Sequence, residues 1–243
     1  MNPLLQTSGT IVNVIAILVG GSLGLLLRGR LPDRIILVVM QAIGLSTLFI
    51  GLSSAWDLTL ITRPPGVIAA LLALAIGGAL GEALGIEARL ERLGDHLKRR
   101  FRGEGRFVEG FVTATLLFCV GPLALLGAIQ NGLVGDAEFL LIKSTLDGLS
   151  ALALATSFGG GVLFSALVVA AYQGGVSLGA GELAQILTDP ANDPRVLLVN
   201  GVGGLMILGL GLGLLDVVKV RVASMLPALV AVIPIWWALG RIL

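Results

Sequence analysis

Cysteine and histidine are nearly missing from this chain: one of each stands in 243 residues. The single Cys119, in an apolar segment, cannot form a disulfide within the chain. Metal sites of the Cys/His type need three or four such ligands and are excluded by count. The one histidine, His96, falls in a basic loop and reads as a solvated residue. Charge is scarce as well. Only 13% of the residues are charged, against roughly 25% in a soluble domain. A net charge of +1 gives no electrostatic case for nucleic acid. Catalytic signatures are absent too: there is no His-Glu-x-x-His, no nucleophile elbow and no Walker loop. Gly132-Leu133-Val134-Gly135-Asp136 is one residue longer than the Gly-x-Gly-Asp pattern of intramembrane aspartyl proteases. The expectation is a protein that is not an enzyme and carries no cofactor.

What fills the space is apolar. Hydrophobic residues make up 56% of the chain, and the mean hydropathy is +1.00. They are gathered into stretches long enough for a helix to cross the roughly 30 Å hydrocarbon core of a bilayer. We read eight spans, at 9–27, 35–55, 66–86, 109–128, 139–157, 161–179, 195–215 and 222–240. The expected fold is all-α, a polytopic transmembrane helical bundle forming one integral membrane domain, 1–243. The fifth and sixth spans are parted only by Phe158-Gly159-Gly160-Gly161, so residues 139–179 read either as two full spans or as a re-entrant element. Met1–Thr10 has no basic stretch, and Leu26-Leu27-Arg28 is no small-residue cleavage site, so the first segment reads as a retained span.

Orientation follows from the basic residues. One set of loops carries Arg28, Arg30, Arg34, then Arg89, Arg92, Lys98, Arg99, Arg100, Arg102, Arg106, then Lys219 and Arg221. The opposite set carries only Arg63, Arg195 and Arg241. The bias places the basic loops in the cytoplasm and both termini outside. The loop 87–108 continues an apolar helical spacing of Ile86, Leu90, Leu93 and Leu97, which suits an amphipathic helix on a membrane surface. Glu82, near the cytoplasmic end of the third span, reads as a salt-bridge partner for nearby arginines.

Glycine is plentiful, with 35 residues. Gly20/Gly24 and Gly77/Gly81 have the i, i+4 spacing that lets helix backbones approach closely. They sit in a repeated Gly-Gly-small-Leu-Gly pattern, and Val199-Asn200 with Gly203-Gly204 echoes Val12-Asn13 with Gly20-Gly21. This pattern suggests internal hairpin repeats. The same glycine faces would suit a homo-oligomer interface.

Polar residues inside the spans are the candidates for function, because a charge at the bilayer centre costs at least about 2.5–3.5 kcal/mol without a partner or water. Lys143 and Asp147 stand at i and i+4 in the fifth span, with Ser144 between them. Gly121-Pro122 breaks the fourth span, and Gln130-Asn131 follows. Gln173 precedes Gly174-Gly175, read as a second helix break in the sixth span. Asn13, Gln41 and Asn200 are lone amides in other spans. Together these suggest a polar interior holding a small solute or ion, in a transporter or channel. The alternative is a non-transport component that binds a partner protein or lipid through the basic loop.

The same residues carry a resemblance. Gly9-Thr10-Ile11-Val12-Asn13 with Gly20-Gly21, Gly81-Glu82 with Gly85-Ile86-Glu87, and Gly121-Pro122 through Gln130-Asn131-Gly132 resemble the bacterial DUF554 family of membrane proteins. Lys143-Ser144 with Asp147-Gly148, and Tyr172-Gln173-Gly174-Gly175, extend the match over about residues 9 to 240. The resemblance implies a multi-pass protein of the bacterial cytoplasmic (inner) membrane. It implies no particular activity.

Overall fold

The computed structural model describes residues 2–120, 122–182 and 192–242. In chain order the described helices are α1 (Pro3–Gln6), α2 (Ser8–Leu27), α3 (Asp33–Ala55), α4 (Asp57–Leu60), α5 (Gly66–Ala83), α6 (Ile86–Arg100), α7 (Phe107–Cys119), α8 (Pro122–Val134), α9 (Glu138–Phe158), α10 (Gly161–Leu178), α11 (Pro194–Leu214) and α12 (Ala228–Leu239). A 3-10 turn, Val222–Met225, leads into α12. Among the described residues, seven helical stretches are long and apolar enough to cross a membrane. Six begin at α2, α3, α5, α9, α10 and α11, and the seventh joins the 3-10 turn to α12. Helices α7 and α8 form a further apolar pair, bent by 56°.

The bend has a local cause. Val120 caps α7 in an extended conformation (φ −93°, ψ 125°). Pro122 opens α8, a position where its missing N–H has no helical acceptor to lose. Gly121, the other residue assigned to this break, lies outside the described residues. Residues 139–179 form two helices. Gly159 ends α9 at φ +88°, in the left-handed region that glycine tolerates, and α10 starts at Gly161. The expected break at Gly174-Gly175 is absent: α10 runs unbroken to Leu178. Without a proline beside them, both glycines keep their N–H groups. A glycine inside a helix costs only about 1 kcal/mol relative to alanine. Gly174 faces the methyl of Thr10 instead, which lies 4.0 Å from where a Cβ would stand.

The chain divides into two compact units, with boundaries inside α3 and α6. Unit 1 comprises residues 1–43 and 91–188, and unit 2 comprises 44–90 and 189–243.

In unit 1, α2 packs along α9. The buried face of α2 is Gly9, Thr10, Asn13, Ile17, Gly20, Gly21 and Gly24, a helical 3-4 spacing. A Cβ on Gly20 would overlap the carbonyl oxygen of Gly148, and one on Gly24 that of Leu152. The other face of α2 presents Ile11, Ile15, Leu23 and Leu26 outward. Helix α7 packs on α10, where Gly161 sits against the backbone of Phe107. Phe107, Phe111, Phe118, Leu140, Leu154 and Val162 fill the core.

Unit 2 is packed by small residues. The buried stripe of α5 is Gly66, Ala69, Ala70, Ala73, Gly77 and Gly81. Gly77 meets Ala228 at the start of α12, and Gly81 meets the carbonyl of Ser224. Gly51 of α3 abuts Leu208 and Gly204 of α11, and Gly211 abuts Leu48.

Candidate functional site

The interior of unit 1 holds a connected set of polar side chains on three helices. Asp147 projects from α9, Asn13 from α2 and Gln173 from α10. The Asn13 amide donates to Asp147 Oδ2 at 3.0 Å and to Gln173 Oε1 at 3.1 Å. One turn away on α9, the Lys143 ammonium donates to the same Asp147 oxygen and forms an ion pair with it. Asn13 and Gln173 are fully buried, and Lys143 and Asp147 are each only 6% exposed. The Lys143 Nζ also stands 5.9 Å from the centroid of the Phe118 ring, within cation–π range.

The chemistry of the partners fixes the direction of each amide. An ionised carboxylate only accepts, so Asn13 must turn its NH2 toward Asp147. That NH2 also reaches the carbonyl oxygen of Gln173, which leaves the Gln173 NH2 pointing elsewhere. Asn13 Oδ1 and Gln173 Nε2 are both buried with no hydrogen-bond partner among the described residues. So are the hydroxyls of Thr10 and Ser177. Thr10 precedes Asn13 by three residues and Ser177 follows Gln173 by four, so each shares a helix face with the amide. Buried polar groups are normally paired. Here one amide carbonyl, one amide NH2 and two hydroxyls are not.

The other candidate residues stand elsewhere. Ser144 is buried, but its hydroxyl donates to the Leu140 carbonyl of its own helix at 2.5 Å. Asn131 of α8 is buried, and both its amide oxygen and its NH2 are paired. Its Oδ1 accepts from Gly9 N at 3.0 Å, and its Nδ2 donates to Leu5 O at 3.2 Å and Ser8 Oγ at 3.1 Å. It pins the start of α2 to α8, so its role here is positioning. Gln130 is half-buried and donates to Asp136 at 2.9 Å, away from the network. Gln41 is exposed on α3, so its expected place in a polar interior is not found. Asn200 is buried in unit 2, beside Asp57 of α4. The structure thus unites Asn13, Lys143, Asp147 and Gln173.

Two further features follow the sequence reading. Helix α6 covers residues 86–100 of the basic loop and stops before Arg102 and Arg106. At its start Arg221 bridges Glu82 at 2.8 Å and Glu87 at 3.4 Å. The two carboxylates raise the affinity of the Arg221 guanidinium for its proton. The residues that sequence reasoning passed over are Thr10, Ser177, Phe118 and Asp57. Thr10 and Ser177 carried a signal, the helical spacing to Asn13 and Gln173.

Comparison with known proteins agrees with the fold. The family model described as "Protein of unknown function (DUF554)" matches residues 8–237. The chain is 32% identical over 221 residues to the Bacillus subtilis (strain 168) protein named "Uncharacterized membrane protein YdfK", covering 91% of this chain and 92% of that one. It is also 32% identical over 235 residues to the Escherichia coli (strain K12) protein named "Uncharacterized protein YqgA", covering 93% and 95%. No solved structure matches. With seven membrane-length apolar helices among its described residues, and matched by this model over nearly its whole length, the chain belongs to the DUF554 family of membrane proteins.

Proposed function

We propose that this protein carries a small polar solute or ion across the bacterial cytoplasmic membrane, and that Asn13, Lys143, Asp147 and Gln173 form its binding site. One observation carries the reading: a buried carboxylate–ammonium pair lies beside amide groups left unpaired. Packing alone gives little reason for such a set. Desolvating a buried ion pair costs several kcal/mol per ion, and apolar residues of similar volume are often equally stable or better. A site that binds and releases a solute needs what is present: groups held in place but not saturated.

In this account Lys143 occupies the cation position on Asp147 when no solute is bound. An entering cation, or the cationic group of a solute, takes that position. Asn13 Oδ1 supplies an acceptor for it, while Gln173 Nε2 supplies a donor for a solute oxygen. The ammonium of Lys143 then moves toward Phe118. The bend between α7 and α8 supports the reading, because discontinuous spans are where transporters place their solute sites.

The test is uptake or current in proteoliposomes across cations, anions, amino acids and small acids, with wild type beside Asp147→Asn. Wild-type flux that disappears in a folded Asp147→Asn protein supports the proposal. Flux of an identified solute that survives both Asp147→Asn and Lys143→Ala sinks it.

A further inference from the structure

Unit 2 holds a second polar feature, at the end where α5 begins and α12 finishes. A cleft of about 600 Å³ opens there, lined by Arg63, Pro64, Trp236, Trp237 and Arg241 among others. Its walls are tied together. Gly66 N donates to Ile61 O at 2.8 Å, which closes the turn holding Arg63 and Pro64. The Trp236 indole N–H donates to the Pro64 carbonyl at 3.1 Å, which fastens the end of α12 to that turn.

The charge of the cleft stands out against its surroundings. Only three basic residues lie in the loops opposite the arginine-rich set: Arg63, Arg195 and Arg241. Arg195 is committed to Asp193 at 2.6 Å. The other two both line this cleft, and neither makes an ion pair among the described residues. The positive start of α5 and the negative end of α12 roughly offset one another. Among the residues that line the cleft, the only charged side chains are these two guanidinium groups.

The setting defines the ligand. Tryptophan rings belong at headgroup level. Trp236 is held by its hydrogen bond, while Trp237 is 58% exposed. The helices leaving the cleft expose Val67 and Leu71 on α5 and Val230 on α12, a surface for acyl chains. A phosphodiester presents two oxygens to a guanidinium fork. We infer that this cleft binds the headgroup of an anionic phosphoglycerolipid, with the phosphodiester between Arg63 and Arg241 and the glycerol region against Trp236 and Trp237. A zwitterionic lipid fits less well, because its own ammonium meets two positive charges. With the basic loops in the cytoplasm, the bound lipid belongs to the outer leaflet.

The experiment is native mass spectrometry of the full chain in detergent, titrated separately with phosphatidylglycerol, phosphatidylcholine and inorganic phosphate. The variants are Arg63→Gln/Arg241→Gln, Arg63→Lys/Arg241→Lys, and Arg99→Gln/Arg100→Gln as a control on the basic helix. Wild type is expected to retain phosphatidylglycerol in preference to phosphatidylcholine and to hold no phosphate. The double glutamine variant should lose about 30-fold in phosphatidylglycerol affinity. The lysine variant should keep part of it, and the control should leave one tight lipid in place. Equal retention of the two lipids, or binding lost only in the Arg99/Arg100 control, overturns the inference. So does unchanged binding in a folded glutamine variant. Inorganic phosphate held as tightly as lipid would identify a free anion as the ligand and equally overturn it.

Discussion

Units 1 and 2 bring their helices together by the same means and fill their interiors differently. In each, glycines let one helix rest on the backbone of another: Gly20 on Gly148 in unit 1, Gly81 on Ser224 in unit 2. Unit 1 then encloses a lysine, an aspartate, three amides and four hydroxyls without a partner among the described residues. Unit 2 lines α5 with alanine and glycine and keeps most of its charges at helix ends, as with Glu82, Glu87 and Arg221. Asn200 has a polar neighbour, Asp57, but that aspartate is only half-buried. Small-residue packing therefore explains how both units assemble. It does not explain the contents of unit 1, and there the functional argument begins.

The sharpest way to break the contrast is to unbalance the charged pair. Lys143→Met should destabilise the protein by about 3–5 kcal/mol, because it leaves Asp147 buried without its ammonium. Thermal unfolding in detergent would read this loss. A Lys143→Met/Asp147→Leu double variant should recover most of it. Next in size is Asn131→Ala. It removes three hydrogen bonds at the start of α2. It should cost about 1–3 kcal/mol, since the buried N–H of Gly9 is left unpaired. The packing shared by the units should respond alike to Gly20→Ala and Gly81→Ala, each costing about 1–3 kcal/mol through overpacking. If only one unit responded, the claim of a common packing device would be wrong. Gln41→Leu should do almost nothing, within about 0.5 kcal/mol, because Gln41 is exposed.

A further effect concerns pH. Hydrogen bonds from Arg195 hold the Asp193 carboxyl below the usual carboxylate range. A carboxyl with a depressed native pKa stabilises the fold above its unfolded pKa and loses that contribution as pH falls through the native one. The melting-temperature advantage of wild type over Asp193→Ala should therefore be full near neutrality. It should shrink in acid, below the usual carboxylate range.

Much of this was legible in the chain. Apolar run length located the membrane helices, because a bilayer sets a minimum span. Lys143 and Asp147 could be placed on one helix face from their spacing alone. Partners on other helices could not be read, since nothing local ties Asn13 or Gln173 to Asp147. The same limit explains Gln41: an amide within an apolar run has no visible facing until the helix is packed. Gly174-Gly175 was misleading for a different reason. Glycine permits a break but does not impose one, whereas Pro122 removes a donor. Asn131 shows that a buried amide can be wholly occupied in joining two helices.

The central claim is that the network in unit 1 serves solute passage and not assembly. The most direct measurement is to melt and assay one protein, the Lys143→Met/Asp147→Leu double variant, beside wild type. The account predicts a melting temperature within a few degrees of wild type, about what a change under 1 kcal/mol produces at this size, and no uptake in proteoliposomes. A folded double variant that still carried the wild-type solute at the wild-type rate would contradict it.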